Sequence, residues 1–276
     1  MMDRFRRIPP GLVAFLVMAA LQLGVAFPTA AQQNPSARAG LKLYDNFDSA
    51  YINPARWYVQ YGCSGVTNLE CVRQIREERL HLRARAYGAR NTNIGNEYGN
   101  SELYLVDSAA TEFAAELRVL RVDSAGCTTS PGAGTHGHAL LFGSFFNGGG
   151  GTTGDDVSAF LVLDRFSTDP ANVVSVQAFL QYQGTFFDFV DLTSVNVGEQ
   201  VTADLKWDKA NHQFVAKLVR PSNNTTVQVT LPYTMSDVTP AVAPQKALGA
   251  RSFPENCGGT QTFTDIEASF DRVMVN

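Results

Sequence analysis

From Leu41 onward the chain is a succession of short runs rich in Val, Leu, Phe, Thr and Tyr, broken by Gly, Asn, Asp and Pro, with no sustained helical period. That texture confines it to an all-β fold. The clearest run is Arg79–Tyr87. Leu80, Leu82, Ala84 and Ala86 point one way, while Arg79, His81, Arg83 and Arg85 point the other, the period-two pattern of a strand with one buried face. Gln200–Trp207 alternates in the same way. Ala139–Phe146 and Val157–Phe166 are apolar almost throughout, as strands covered on both faces are, and a glycine-rich loop joins them. Further strands are expected over Leu41–Phe47, Arg56–Gln60, Val72–Arg76, Ser101–Val106, Thr111–Val122, Val173–Tyr182, Thr185–Leu192, His212–Val219, Thr225–Leu231 and Thr262–Val275. The stretch from Pro232 to Pro254 holds four prolines and reads as a long loop. About a dozen strands in one domain predict a two-sheet antiparallel sandwich, with the first and last strands paired.

The N-terminus reads as a targeting segment. Arg4, Arg6 and Arg7 precede an uncharged apolar run, Gly11–Phe27, and Thr29-Ala30-Ala31 supplies small residues for a cut after Ala31. The run is shorter than the roughly 20 residues a bilayer-spanning helix needs. The expectation is a Sec-type signal peptide over 1–31, a linker over 32–40, and a single sandwich domain over 41–276, in a secreted or periplasmic protein without membrane insertion after cleavage. Four cysteines in an exported chain predict two disulfides. Among the three connectivities, Cys63–Cys71 and Cys127–Cys257 are favoured. A formal net charge of -4 gives no reason to expect a nucleic-acid partner.

Several segments resemble the concanavalin A-like lectin/glucanase superfamily. They are the opening YDNFDSAYINPARW, the alternating Arg79–Tyr87, TEFAAELRVLRV over Thr111–Val122, the FGSFFN strand and the closing FTDIEASFDRVMVN. The resemblance implies a jelly-roll sandwich that carries lectins, hydrolases, lyases and structural modules alike. Glucanases of this fold place E-x-D-x-x-E or E-x-D-x-E on one central strand, but the counterpart here has Ser158, Phe160 and Val162 in those places. Asp156 and Asp164 share parity, yet eight residues, roughly 26 Å of strand, separate them. They cannot flank one glycosidic bond. Alginate lyases of this fold use Arg, Gln, His and Tyr, and Glu116-Leu117-Arg118 partly resembles one of their strands, but their Gln-x-His strand is missing. Members of the superfamily also bind structural calcium where the first strand meets the last, which implies Asp45, Asp48 and Asp271 as ligands.

The residues offer further candidates. Arg79, His81, Arg83, Tyr104, Gln177, Gln181 and Tyr182 could line a groove for an acidic sugar, or form an ordinary solvated face. Tyr182, Phe186, Phe187 and Asp188 sit near one hairpin and could offer aromatic faces beside polar groups. Trp57 and Trp207 read as buried by alternation. His136-Gly137-His138 has a spacing used by zinc ligands, but no third ligand is identifiable and the setting reads as a flexible loop. No nucleophile elbow or phosphate loop is present. The expected function is that of a non-catalytic, lectin-like carbohydrate-binding or surface-interaction module. The alternative is a lyase or atypical hydrolase acting on polysaccharide.

Overall fold

Two antiparallel sheets face each other across one apolar core. The computed structural model describes residues 40–58, 62–65, 68–91, 95–107, 109–127, 134–240 and 243–276, so the expected signal peptide, most of the linker and Gln60 lie outside the described residues. The first sheet runs β14 (Thr225–Pro232), β13 (Gln213–Arg220), β12 (Val201–Asp208), β7 (Glu112–Ala125), β16 (Phe263–Val275), β5 (Arg79–Tyr87) and β4 (Leu69–Arg76), with β1 (Lys42–Asp45) paired to β16. The second runs β11 (Thr185–Asn196), β10 (Val173–Tyr182), β9 (Asp156–Phe166), β8 (His136–Asn147), β15 (Lys246–Phe253), β6 (Gly99–Leu105) and β2 (Trp57–Tyr58), with β3 (Cys63–Gly65) paired to β6. The all-β, two-sheet antiparallel jelly-roll expectation is met, and the first and last strands do pair, Lys42 opposite Val275. Among the described residues no helix is long and apolar enough to cross a membrane.

Alternation decides which side chains meet in the middle. Leu80, Leu82, Phe113, Leu117 and Phe270 of the first sheet pack in one cluster with Leu141, Leu161, Leu163, Leu180 and Leu248 of the second. Trp57 is buried as expected, its indole Nε1 donating to Asp45 Oδ2 at 2.6 Å and its ring stacked on Phe47. Trp207 is only half-buried. It stacks on Phe146 and donates to the Tyr233 hydroxyl at 2.9 Å. A bulge between Ser144 and Phe146 turns both Phe145 and Phe146 into the core.

The expected loop between Pro232 and Pro254 is a correction: it contains β15, between β8 and β6 in the second sheet. The segment KALGARSF lacks the β-branched residues that mark strands. Its small residues are what the position requires, since a Cβ on Gly249 would lie 3.0 Å from Glu102 Cγ. At the core end of the same strand Lys246 is 2% exposed, with its amine 4.6 Å from the Phe145 ring centroid. Burial pulls its pKa down to about 8.

The disulfides are Cys63–Cys71 and Cys127–Cys257, the favoured pairing. The first joins β3 to β4 and so ties the two sheets together.

Two outcomes follow from the core and its crosslinks. Loop-closure entropy ranks the two disulfides by the chain they enclose, 8 against 130 residues. Denaturant melts should therefore show C127S/C257S losing about 5 kcal/mol and C63S/C71S about 2.5 kcal/mol; the reverse order would refute the ranking. Lys246 is held below its unfolded pKa, so the fold is penalised wherever the free side chain is protonated and the buried one resists it. That penalty is full below about pH 8 and relaxes as pH rises toward about 10.4. Lys246→Met should accordingly stabilise the protein at pH 7 by up to about 3 kcal/mol, with the gain shrinking by pH 10. A gain independent of pH would reject the titration argument.

Candidate functional site

The outer faces of the two sheets differ in kind. On the first, Arg79, His81 and Arg83 project from β5 toward carboxylates of β16. Arg83 forks onto Asp265 at 2.8 and 2.7 Å, Arg79 reaches Asp271 at 3.2 Å, and His81 Nδ1 lies 3.3 Å from Glu267. Arg76 joins Glu267 at 3.2 Å, and Arg121 shares Asp265. Arg79 Nε and Nη2 and His81 Nε2 are buried without a hydrogen-bond partner, but a sugar here would still have to compete with these ion pairs. Tyr104, Gln177 and Gln181 lie on the other sheet. The single groove expected from these residues is therefore corrected: the sandwich core separates the β5 group from the rest.

The outer face of the second sheet carries a layer of its own. Leu140, Phe160, Val162 and Phe179 form a second apolar cluster, all buried although they point away from the main core, with Phe142 packed beside them. Phe160 and Phe179 stack at 4.8 Å. On top of these stand Phe186 and Phe189, each 56% exposed; Phe189 lies parallel to Phe179 at 4.8 Å, and Phe186 meets Phe179 edge-on at 5.2 Å.

Strict alternation would put Phe187 and Phe189 on one side and Phe186 on the other. The strand departs from it at Asp188, which has φ +48° and lies in a bulge where β11 gains one residue on β10. The extra residue brings Phe186 and Phe189 to the same outer face and turns Phe187 toward the main core. Tyr182 also packs against that core. Of the candidates Tyr182, Phe186 and Phe187, Phe186 stands on the outer face beside Phe189, while Tyr182 and Phe187 pack against the main core.

Polar clefts flank the aromatic pair, because successive outward positions on β10 are Ser175, Gln177, Phe179 and Gln181. Beyond Phe179 on one side, Ser144, Ser158, Gln181, Asp156, Gln183 and Gln245 line a cleft of about 340 Å³. Its rim is braced by the glycine-rich loop. The Asn147 carboxamide oxygen accepts from the backbone N–H groups of Gly149 and Gly151 at 2.9 and 3.1 Å, and Gln183 donates to Asp155 at 2.8 Å. On the other side, Ser175, Gln177, Asp169, Asp191 and Thr193 line a second cleft of about 490 Å³. There the Gln177 amide donates to Asp191 at 2.8 Å.

Toward β6 the apolar layer is capped by charge. The Arg251 guanidinium lies over the rings of Phe142 and Phe160 at 5.5 and 5.6 Å and donates to Glu102, which is fully buried and also receives the Tyr104 hydroxyl. Burial, then the Glu102 charge, pushes the Tyr104 phenol well up, so it stays protonated as a donor. Glu102 is committed to Arg251 and Tyr104, and Asp156 and Asp164 stand at opposite ends of β9. Neither arrangement offers a pair of carboxylates flanking a bound sugar.

The expected calcium ligands are dispersed in use. Asp45 is buried and accepts from Trp57 Nε1 and, at 3.0 Å, the Phe47 backbone, with Arg56 at 3.3 Å. Asp48 accepts from Asn46 at 3.2 Å, and Asp271 from Arg79 and the Arg272 backbone. Among the described residues, the group of three metal-competent side chains that comes together is a different one: His136, His138 and Asp164. These histidines sit on β8, which corrects the flexible-loop reading. Burial raises Asp164 to about 7 and holds His138 well below the ordinary imidazole value.

No family model and no curated protein matches the chain. Solved structures similar to it include the winged bean acidic lectin complexed with methyl-α-D-galactose, at TM-score 0.40 and 11% identity over 85% of this chain and 98% of that one. Lectin II from Ulex europaeus has TM-score 0.36 and 10% identity over 79% and 95%. Scytalido-glutamic peptidase, with a peptide-based transition-state analogue, has TM-score 0.34 and 10% identity over 59% and 63%.

The two layers of phenylalanine should separate cleanly in stability measurements. Phe160→Ala removes a buried ring and should cost about 3–5 kcal/mol, while Phe189→Ala removes an exposed one and should cost less than about 1 kcal/mol. Equal losses in urea denaturation would mean that Phe189 serves the core rather than the surface.

Proposed function

We propose that the outer face of the second sheet is a carbohydrate-binding surface and that the protein acts as an exported, lectin-like module. The observation that carries this reading is the exposed pair Phe186 and Phe189, held rigidly on buried Phe179 and Phe160 and flanked by clefts lined with Ser, Gln and Asp side chains. A pyranose ring has apolar C–H faces and a polar hydroxyl rim. An aromatic plane covers the first, while amides and carboxylates bind the second. The platform is pre-formed, so little ordering is required when a ligand arrives. Two disulfides fit an oxidising, extracellular compartment where glycans are displayed. Of the carboxylates in the clefts, Asp156 and Asp191 accept from Asn147 and Gln177 and lie in separate clefts, which favours recognition over hydrolysis.

A glycan array followed by calorimetry on the best ligand tests this. Phe186→Ala and Phe189→Ala should each weaken binding by about tenfold or more, equivalent to about 1.4 kcal/mol. Thr230→Ala, exposed on the opposite sheet, should leave it unchanged. Binding that survives both phenylalanine changes would place the ligand elsewhere. New reducing ends or unsaturated products from the same polysaccharides would replace recognition with the enzymatic alternative.

A further inference from the structure

We propose that His136, His138 and Asp164 form a site for a divalent cation of the zinc type. The strands bring the three together. His136 and His138 are two residues apart on β8 and share its outer side. β9 runs antiparallel beside it, with Asp164 directly opposite His138. One donor atom from each side chain lies within 4.8 Å of the other two. Zinc bonds of about 2.0–2.2 Å place tetrahedral donors about 3.4 Å apart, so side-chain rotations of about 1 Å close the set around an ion.

The buried hydrogen-bond inventory points the same way. His138 Nε2 and Asp164 Oδ1 are both buried without a hydrogen-bond partner. A carboxylate oxygen and an imidazole nitrogen this close, in apolar surroundings, would ordinarily bond to each other or to something between them. His136 is oriented from behind: its Nδ1 donates to the Gly134 carbonyl at 2.9 Å, because a carbonyl can only accept. That leaves Nε2 as the free lone pair, the arrangement in which a backbone carbonyl steers a metal-binding histidine. The His136 ring is held between Phe253 at 4.6 Å and Phe166 at 4.7 Å, which fixes its plane.

Charge and donor type select the ion. Arg251 stands beside His138, but Glu102 neutralises it, and Asp164 supplies the one carboxylate among the three donors. Two nitrogens and one oxygen suit zinc and its first-row neighbours, whereas calcium requires an all-oxygen shell. Three protein donors leave a fourth position for water or a ligand. The site occupies the opposite end of the sheet from Gln181 and Phe186 and does not depend on the carbohydrate reading.

Untagged, oxidised protein stripped with EDTA and titrated with zinc chloride tests the proposal. Calorimetry should show one ion per chain. Cobalt(II) should give the intense visible d–d bands of a tetrahedral nitrogen–oxygen set, and zinc should raise the melting temperature where calcium does not. Asp164→Asn and His136→Gln should each weaken zinc at least 100-fold and abolish the cobalt bands, with unchanged far-ultraviolet dichroism. His136→Gln is the milder variant should Asp164→Asn fail to fold. Absence of stoichiometric zinc binding, zinc affinity unchanged in both variants, or a calcium shift equal to that of zinc would overturn the assignment.

Discussion

The apolar layer on the outside of the second sheet is the constraint on which the rest of this surface depends. A sandwich needs apolar side chains only where its sheets face each other, yet Leu140, Phe160, Val162 and Phe179 are buried on the side turned away. Left bare, they would form an exposed patch of the kind that marks interaction sites or promotes aggregation. The protein covers them from two directions. Arg251, held by Glu102, spreads its guanidinium across Phe142 and Phe160, and the bulged β11 lays Phe186 and Phe189 over the rest. The cover is itself aromatic, with Phe186 and Phe189 more than half exposed.

The two disulfides and the first-sheet ion pairs do different work. Cys63–Cys71 ties one sheet to the other, and Cys127–Cys257 spans more than a hundred residues of chain. The arginine ladder of β5 faces the carboxylates of β16 and lines the first sheet's outer surface with ion pairs, although Arg79 Nε and Nη2 and His81 Nε2 are left without a hydrogen-bond partner. The first sheet thus presents an outer face rich in ion pairs, while the second presents aromatic and amide groups.

Much of the fold was legible in the chain, but the site was less so. Clean alternation in Arg79–Tyr87 located its strand and inner face, and continuous apolar runs marked β8 and β9 as covered on both sides. β15 was hidden because Ala and Gly fill a crowded central position, and small residues carry no strand signal. Gln177 and Gln181 share the outer face of β10 but line different clefts, one on each side of Phe179. Which of Phe186 and Phe187 faces outward was not legible, because a bulge inverts side-chain parity and Asp188 at positive φ marks it only in the folded chain. Asp164 could be read as a strand-end aspartate, but its nearness to His136 and His138 depends on the β8–β9 register.

The sequence by itself determined that this chain is all-β, that it folds as two antiparallel sheets, and which faces of the alternating strands turn inward. These follow from side-chain periodicity, a local property that each strand carries alone. Tertiary structure decided which outward residues become neighbours. Arg79, His81 and Arg83 were separated from Tyr104 and Gln177 by the thickness of the core, while two histidines gained an aspartate from the next strand. Register, bulges and the allocation of strands to sheets set those distances. They arise from packing between segments far apart in the chain, which no single run of residues encodes.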